Sequence, residues 1–135
     1  MSRSQYSDDV DGWALIRWRG AVASALRGRR GQELLHGLAS ALDAMPVKRL
    51  IAGALVKNGE VCALGALGVA CGRAIDMQEV DPEDYEQVAR FFGISDALAR
   101  EIQYLNDEYY DPSPEVRWTR MRQWVASHLF QEAGA

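Results

Sequence analysis

The sequence predicts a mainly α fold: a single compact bundle of about five or six helices, with one short β-hairpin open as an option near residues 50–63. Three observations carry this. Apolar residues recur at i, i+3, i+4 spacing along most of the chain. Helix start and stop signals bracket those runs. No Gly/Ser/Pro-rich linker, low-complexity tract or 20–50-residue repeat divides them. With 135 residues, 48% hydrophobic and 25% charged, the chain can bury roughly two-thirds of the surface its unfolded form exposes, without needing disulfides or metal. Residues 1–135 therefore read as one helical domain, with 1–9 expected to be disordered.

The first helix is expected over 10–27. Asp9 or Asp11 can cap its start, and Leu15, Trp18, Val22, Ala25 and Leu26 share one face. Gly28 suits its stop. A second helix over 32–45 carries Leu35, Leu38, Leu42 and Met45, and Pro46 ends it because proline disfavours helical geometry in the preceding residue. The intervening turn, Arg27-Gly28-Arg29-Arg30-Gly31, is short enough to make an antiparallel helical hairpin.

Residues 48–72 admit two readings. Asn58-Gly59 supplies the positive φ angles of a tight hairpin turn between apolar runs. Equally, it can terminate a third helix over 49–56. The following stretch, Cys62 to Cys71, is small and apolar, which suits a central, most buried helix. Gly65 and Gly68 each cost about 1 kcal/mol there relative to alanine, so a close-packing reason is expected for both. Further on, Asp81-Pro82 and Gly93 bound a helix over 82–92. Ser95 caps another, with Leu98, Ile102 and Leu105 on one face, stopping near Asn106. Ser113-Pro114 opens a last helix to about residue 131, lined by Trp118, Met121, Val125 and Leu129.

Net charge is −4, but it is unevenly placed: residues 1–57 carry nine basic and five acidic groups, and 58–135 carry six and 14. Arg27, Arg29 and Arg30, with Arg17 and Arg19 nearby, centre the basic part. They are candidates for a contact surface or for weak nucleic-acid binding. Against this, arginines in the last turn of a helix are favoured by its dipole alone. A pI near 5.1 is also far from the value above about 9 usual for a dedicated nucleic-acid binder.

No apolar run approaches the ~20 residues of a membrane span, and the polar start MSRSQYSDDVDG does not resemble a signal peptide. The expectation is a cytoplasmic protein without membrane contact, its two cysteines unpaired.

Candidate chemistry centres on Cys62, placed where a helix N-terminus would stabilise a thiolate, with His36 as base and Asn106 or Asp107 as orienting group. The competing reading makes Cys62 a buried apolar filler. His36, Cys62, Cys71 and His128 have separations that match no compact metal-ligand spacing, and no cofactor is expected. Asn106-Asp107 is a polar pair that either faces the Cys62 helix terminus or only caps its own helix. Trp124, Tyr109 and Tyr110 are candidate interface aromatics.

Gly59-Glu60-Val61-Cys62-Ala63-Leu64-Gly65-Ala66, Tyr104-Leu105-Asn106-Asp107-Glu108 and Arg117-Trp118-Thr119-Arg120-Met121-Arg122-Gln123-Trp124 resemble blocks of a family of small uncharacterised phage and prophage proteins. Arg29-Arg30-Gly31-Gln32 and Asp81-Pro82-Glu83-Asp84 extend the resemblance over roughly residues 12–130. A looser likeness, through the Cys-Ala-Leu-Gly-Ala block and the Asn-Asp pair, is to small actinobacterial proteins. The resemblance brings no activity. It implies a phage or prophage setting, in which small acidic helical proteins often bind a host protein, for example to blunt an antiphage defence. The expected function is thus non-enzymatic binding of a host or phage protein, with a thiol enzyme and a nucleic-acid binder as alternatives.

Overall fold

A computed structural model describes residues 12–130 of the chain. The expected caps Asp9 and Asp11 and the expected disorder of 1–9 lie outside the described residues. Those described form seven helices and one two-stranded antiparallel hairpin: α1 (Gly12–Arg27), α2 (Arg29–Ala44), β1 (Val56–Lys57), β2 (Glu60–Val61), α3 (Ala63–Ala70), α4 (Ala74–Met77), α5 (Tyr85–Phe92), α6 (Asp96–Asp107) and α7 (Pro114–His128). The mainly α bundle is as expected. The hairpin reading of residues 50–63 is the correct one: Val56 pairs with Val61 and Lys57 with Glu60, and Asn58 and Gly59 take φ of 54° and 78°, as a two-residue turn matched to strand twist demands.

The first two helices do not form the expected hairpin turn. Only Gly28 separates them, in extended conformation, and both Arg29 and Arg30 fall in the first turn of α2. The reason is local packing at Gly31. A Cβ there would lie 1.8 Å from the Ala25 carbonyl oxygen, so glycine lets α2 begin directly against the end of α1. The dipole argument for arginine at a helix C-terminus therefore applies to Arg27 alone; Arg29 and Arg30 occupy the unfavourable end. At its far end α2 stops at Ala44. Met45 turns extended ahead of Pro46, and Lys48 Nζ donates to the Asp43 and Met45 carbonyls.

The helix expected from residue 82 starts three residues later. Asp84, not Asp81, is its N-cap, its side chain accepting from Gln87 N. Asp81 instead closes a preceding turn, with Oδ1 accepting from Glu83 N at 2.9 Å. Gly93, with φ 69°, makes the expected left-handed stop. Ser95 and Ser113 cap α6 and α7 by accepting from Leu98 N and Val116 N. The last helix ends at His128, short of residue 131, because the backbone turns extended at Leu129.

The core joins α2, α3, α5, α6 and α7, with Val22 and Leu26 of α1 closing one side. α6 rather than α3 is the most enclosed helix. Its residues Glu101 to Asn106 are all buried, whereas α3 ends with Val69 and Ala70 exposed. Six consecutive buried residues cover every direction of a 3.6-residue turn, so α6 is surrounded. α7 is tied back by polar contacts: Trp118 Nε1 donates to Leu42 O at 3.1 Å, and the Arg122 guanidinium makes a two-point contact with Asp43 at 2.8 and 2.9 Å. No described helix is long and apolar enough to cross a membrane.

Candidate functional site

Cys62 stands where expected, as N-cap of α3. Its Sγ accepts from Gly65 N at 3.3 Å, and its other polar neighbour is Gln103 Oε1 at 4.0 Å. It is 1% exposed. Burial pushes its thiol up to about 12, against the pull of the Gly65 N–H, and the Asp107 carboxylate adds to the rise. Desolvation outweighs the helix terminus, so the thiolate argument fails on its own physics. His36 is exposed on α2, and neither group touching Cys62 Sγ is a base. Cys71 is exposed, and the two cysteines are unpaired.

Asn106 does meet the start of α3. Its Oδ1 accepts from Ala63 N at 3.1 Å, while Nδ2 donates to Ile51 O at 2.9 Å and to Asp107 Oδ1 at 2.7 Å. Asp107 Oδ1 also accepts from Gly53 N at 3.1 Å, and burial raises its carboxyl above the ordinary range. Arg117 completes the cluster: its Nε donates to Asn106 O and its Nη1 to Leu50 O, and it lies 3.4 Å from Asp111. Every group here is used by a backbone or side-chain partner. The constellation joins the 50–53 loop, α3, α6 and α7, and the residues expected to support catalysis serve as its structural joint.

Of the candidate binding residues, Trp124 lies in a groove and the others lie apart from it. The groove, about 370 Å³ in volume, runs between α1 and α7. Trp18 and Trp124 with His128 form its walls, Val22 and Leu26 its floor, and Glu101 and Arg19 supply charge. The Trp124 and His128 rings sit 5.0 Å apart, and His128 Nδ1 donates to Trp124 O at 2.9 Å. Gln32 ties two of the groove's lining residues together: Nε2 donates to Leu26 O and His128 O at 2.6 and 2.9 Å, and Oε1 accepts from Phe130 N at 2.9 Å. Nothing in the sequence around Gln32 signals this bridge, because the two helices it joins come from remote parts of the chain.

Arg27, Arg29 and Arg30 are exposed together at the α1–α2 junction. Tyr109 and Tyr110 belong to the loop between α6 and α7. Tyr109 packs edge-on to Tyr104 with ring centroids 6.3 Å apart and under the Arg120 guanidinium, which itself grips Asp111 at 2.9 and 2.8 Å. Tyr110 is fully exposed. Among the described residues, no group of three or more His, Cys, Asp or Glu side chains is placed to hold a metal ion. Compared with protein-family models, with curated proteins and with solved structures, the chain matches none.

Proposed function

We propose that this chain is a non-enzymatic phage or prophage accessory protein that acts by binding a host or phage protein, inhibition of a host antiphage system being one form of that action. The observation that carries the reading is the groove between α1 and α7. It offers two half-buried indoles, Trp18 and Trp124, over an aliphatic floor, and partly exposed tryptophans over apolar ground are the side chains that most often anchor protein interfaces. The buried thiol of Cys62 is by contrast sealed and protonated. The resemblance to phage proteins supplies the setting, and a cytoplasmic location in the host follows from it.

Affinity capture from a bacterial host extract, run in parallel with wild type and Trp124→Ala, tests the reading. A protein retained by the first and lost by the second supports it. Equal recovery by both, or no recovery together with thiol-dependent turnover of a substrate, overturns it. Nucleic-acid binding has one specific observation in its favour, the joint exposure of Arg27, Arg29 and Arg30. It requires association that falls steeply with salt and disappears when all three are alanine.

A further inference from the structure

The outer side of α1 leaves large apolar side chains uncovered. At 100° per residue, Trp13, Ile16, Arg17, Gly20, Ser24 and Arg27 fall within an arc of about 100°, and all six are exposed. Trp13 keeps 71% and Ile16 61% of their surface. A Cβ on Gly20 would meet nothing within 4 Å, so open ground lies directly beside the two apolar side chains. Arg29 and Arg30 extend the positive charge past the junction with α2. Two large apolar side chains at one end and a row of arginines toward the other define a docking strip whose complement is acidic with an apolar floor.

The same chain contains such a complement. A groove of about 420 Å³ opens where the starts of α5 and α6 meet the inner side of α1. Its rim carries Glu83, Asp84, Glu86 and Asp96, and Trp18 and Tyr85 supply its apolar ground. Arg100 is the cation in its lining, 5.5 Å from the centroid of the Tyr85 ring. Trp18 points about 140° around α1 from Trp13, so strip and groove face different ways and cannot meet within one copy. Between two copies they can.

We propose that the outer face of α1 docks into the acidic groove of a second copy, so that the protein self-associates head to tail. Such contacts are heterologous: each copy keeps one unused strip or one unused groove, and further copies add until a ring closes. Trp13 and Ile16 supply the apolar anchor, and Arg17 and Arg27 set orientation against Glu83, Glu86 and Asp96. This goes beyond the binding of a host or phage protein and does not depend on it: the two grooves share Trp18, but the outer strip of α1 and the acidic rim of Glu83, Glu86 and Asp96 lie outside the Trp124 groove.

Sedimentation velocity of the full chain tests the proposal. At low ionic strength the apparent mass should rise with protein concentration above the 15.0 kDa of the monomer. It should return to the monomer as added salt shortens the Debye length from about 30 Å toward about 3 Å. Trp13→Ala/Arg17→Ala and Glu83→Gln/Glu86→Gln should each be monomeric with unchanged circular dichroism; Asp84 is left intact because it caps α5. The decisive sample is an equimolar mixture of the two variants. Each retains the face the other lacks, so the mixture should form a 1:1 dimer and stop there. Wild type that stays monomeric at every concentration, association that survives in either variant alone, or a mixture that remains monomeric overturns the proposal. So does a monomeric wild type that binds a short DNA duplex through the arginines.

Discussion

Replacing Gly65 and Gly68 separately by alanine should have very different effects, although the two glycines look alike in sequence. At Gly65 an added Cβ would lie 1.9 Å from the Leu55 carbonyl oxygen and 2.9 Å from its carbon. Those atoms are backbone, and Leu55 O is itself the acceptor for Cys62 N at 3.1 Å. Making room means displacing the chain just before β1 and losing that hydrogen bond. Overpacking costs about 1–3 kcal/mol and the lost bond about 1 kcal/mol, offset by about 1 kcal/mol from the better helix propensity of alanine. Gly65→Ala should therefore be destabilised by about 1–3 kcal/mol, or roughly 4–12 °C in melting temperature for a domain of this size. At Gly68 the nearest atoms are Met77 Sδ and Cε, at 2.1 and 2.7 Å. These are the far end of an unbranched side chain that can take another rotamer, so Gly68→Ala should stay within about 1 kcal/mol of wild type once propensity is counted. Urea unfolding and a thermal melt of both variants check the comparison. A Gly65→Ala protein as stable as wild type would show that α3 does not lie against the Leu55 carbonyl, and the packing account of this helix would fall with it.

Asn106→Ala should cost about 2–4 kcal/mol in urea unfolding, because it leaves Ala63 N and Ile51 O without their side-chain partner in a buried place; a loss under about 1 kcal/mol would show that water or a neighbour replaces it. Thiol labelling at neutral pH should modify Cys71 quickly and Cys62 only after denaturant is added, given their exposures; equal rates in the folded protein would contradict the burial of Cys62. Because the folded Cys62 thiol is raised to about 12 from 9.0, the unfolded chain loses this proton first, so stability should fall as pH rises from about 9 toward 12. Cys62→Ala should flatten that part of the profile, and an identical slope in both proteins would count against the shift. At the acid end, Asp111 is held below its ordinary value by the hydrogen bonds from Arg120 and by the charges of Arg120 and Arg117. Its stabilising share is present above the unfolded value near 3.8 and is lost as pH falls through the lower folded value. Asp111→Asn should make acid unfolding shallower.

What can be read directly from the residues is what the chain decides locally. Ser95, Ser113-Pro114, Gly93, Pro46 and Asn58-Gly59 act through their own or adjacent backbone, and each stands where the sequence puts it. The exchange of Asp81 for Asp84 as cap shows the limit: both are good caps, and the choice rests on a turn held by Gln87, whose Oε1 accepts from Asp81 N. The junction at Gly28 departs from the expected turn because Gly31 resembles turn punctuation, whereas it serves a close approach to Ala25. For the candidate site, the small apolar run behind Cys62 makes it legible as a helix cap. Its burial is one of two readings the residues leave open, and the choice between them is not legible, because the Gln103 side chain beside it comes from 41 residues away. The exposure of Trp13 and Ile16 is hidden for a related reason: a helix wheel shows which side is apolar enough to bury, but not which apolar side chains are left outside when that side is taken.

The bonds that anchor α7 set the order in which this protein can be made. Gln32 reaches His128 and Phe130 across 96 and 98 positions of sequence, Trp118 reaches Leu42 across 76, and Arg117 reaches Leu50 across 67. A ribosome adds about 5–20 residues per second, so α1 to α6 emerge seconds before the helix that carries Met121 and Val125 into the core. During that interval the side of α2 that α7 will cover has no mate, and the 50–53 loop lacks the guanidinium that holds it. Native structure is thus completed at or after release of α7, and a nascent chain stalled before residue 114 should present sticky α2 surface to chaperones rather than a finished smaller fold.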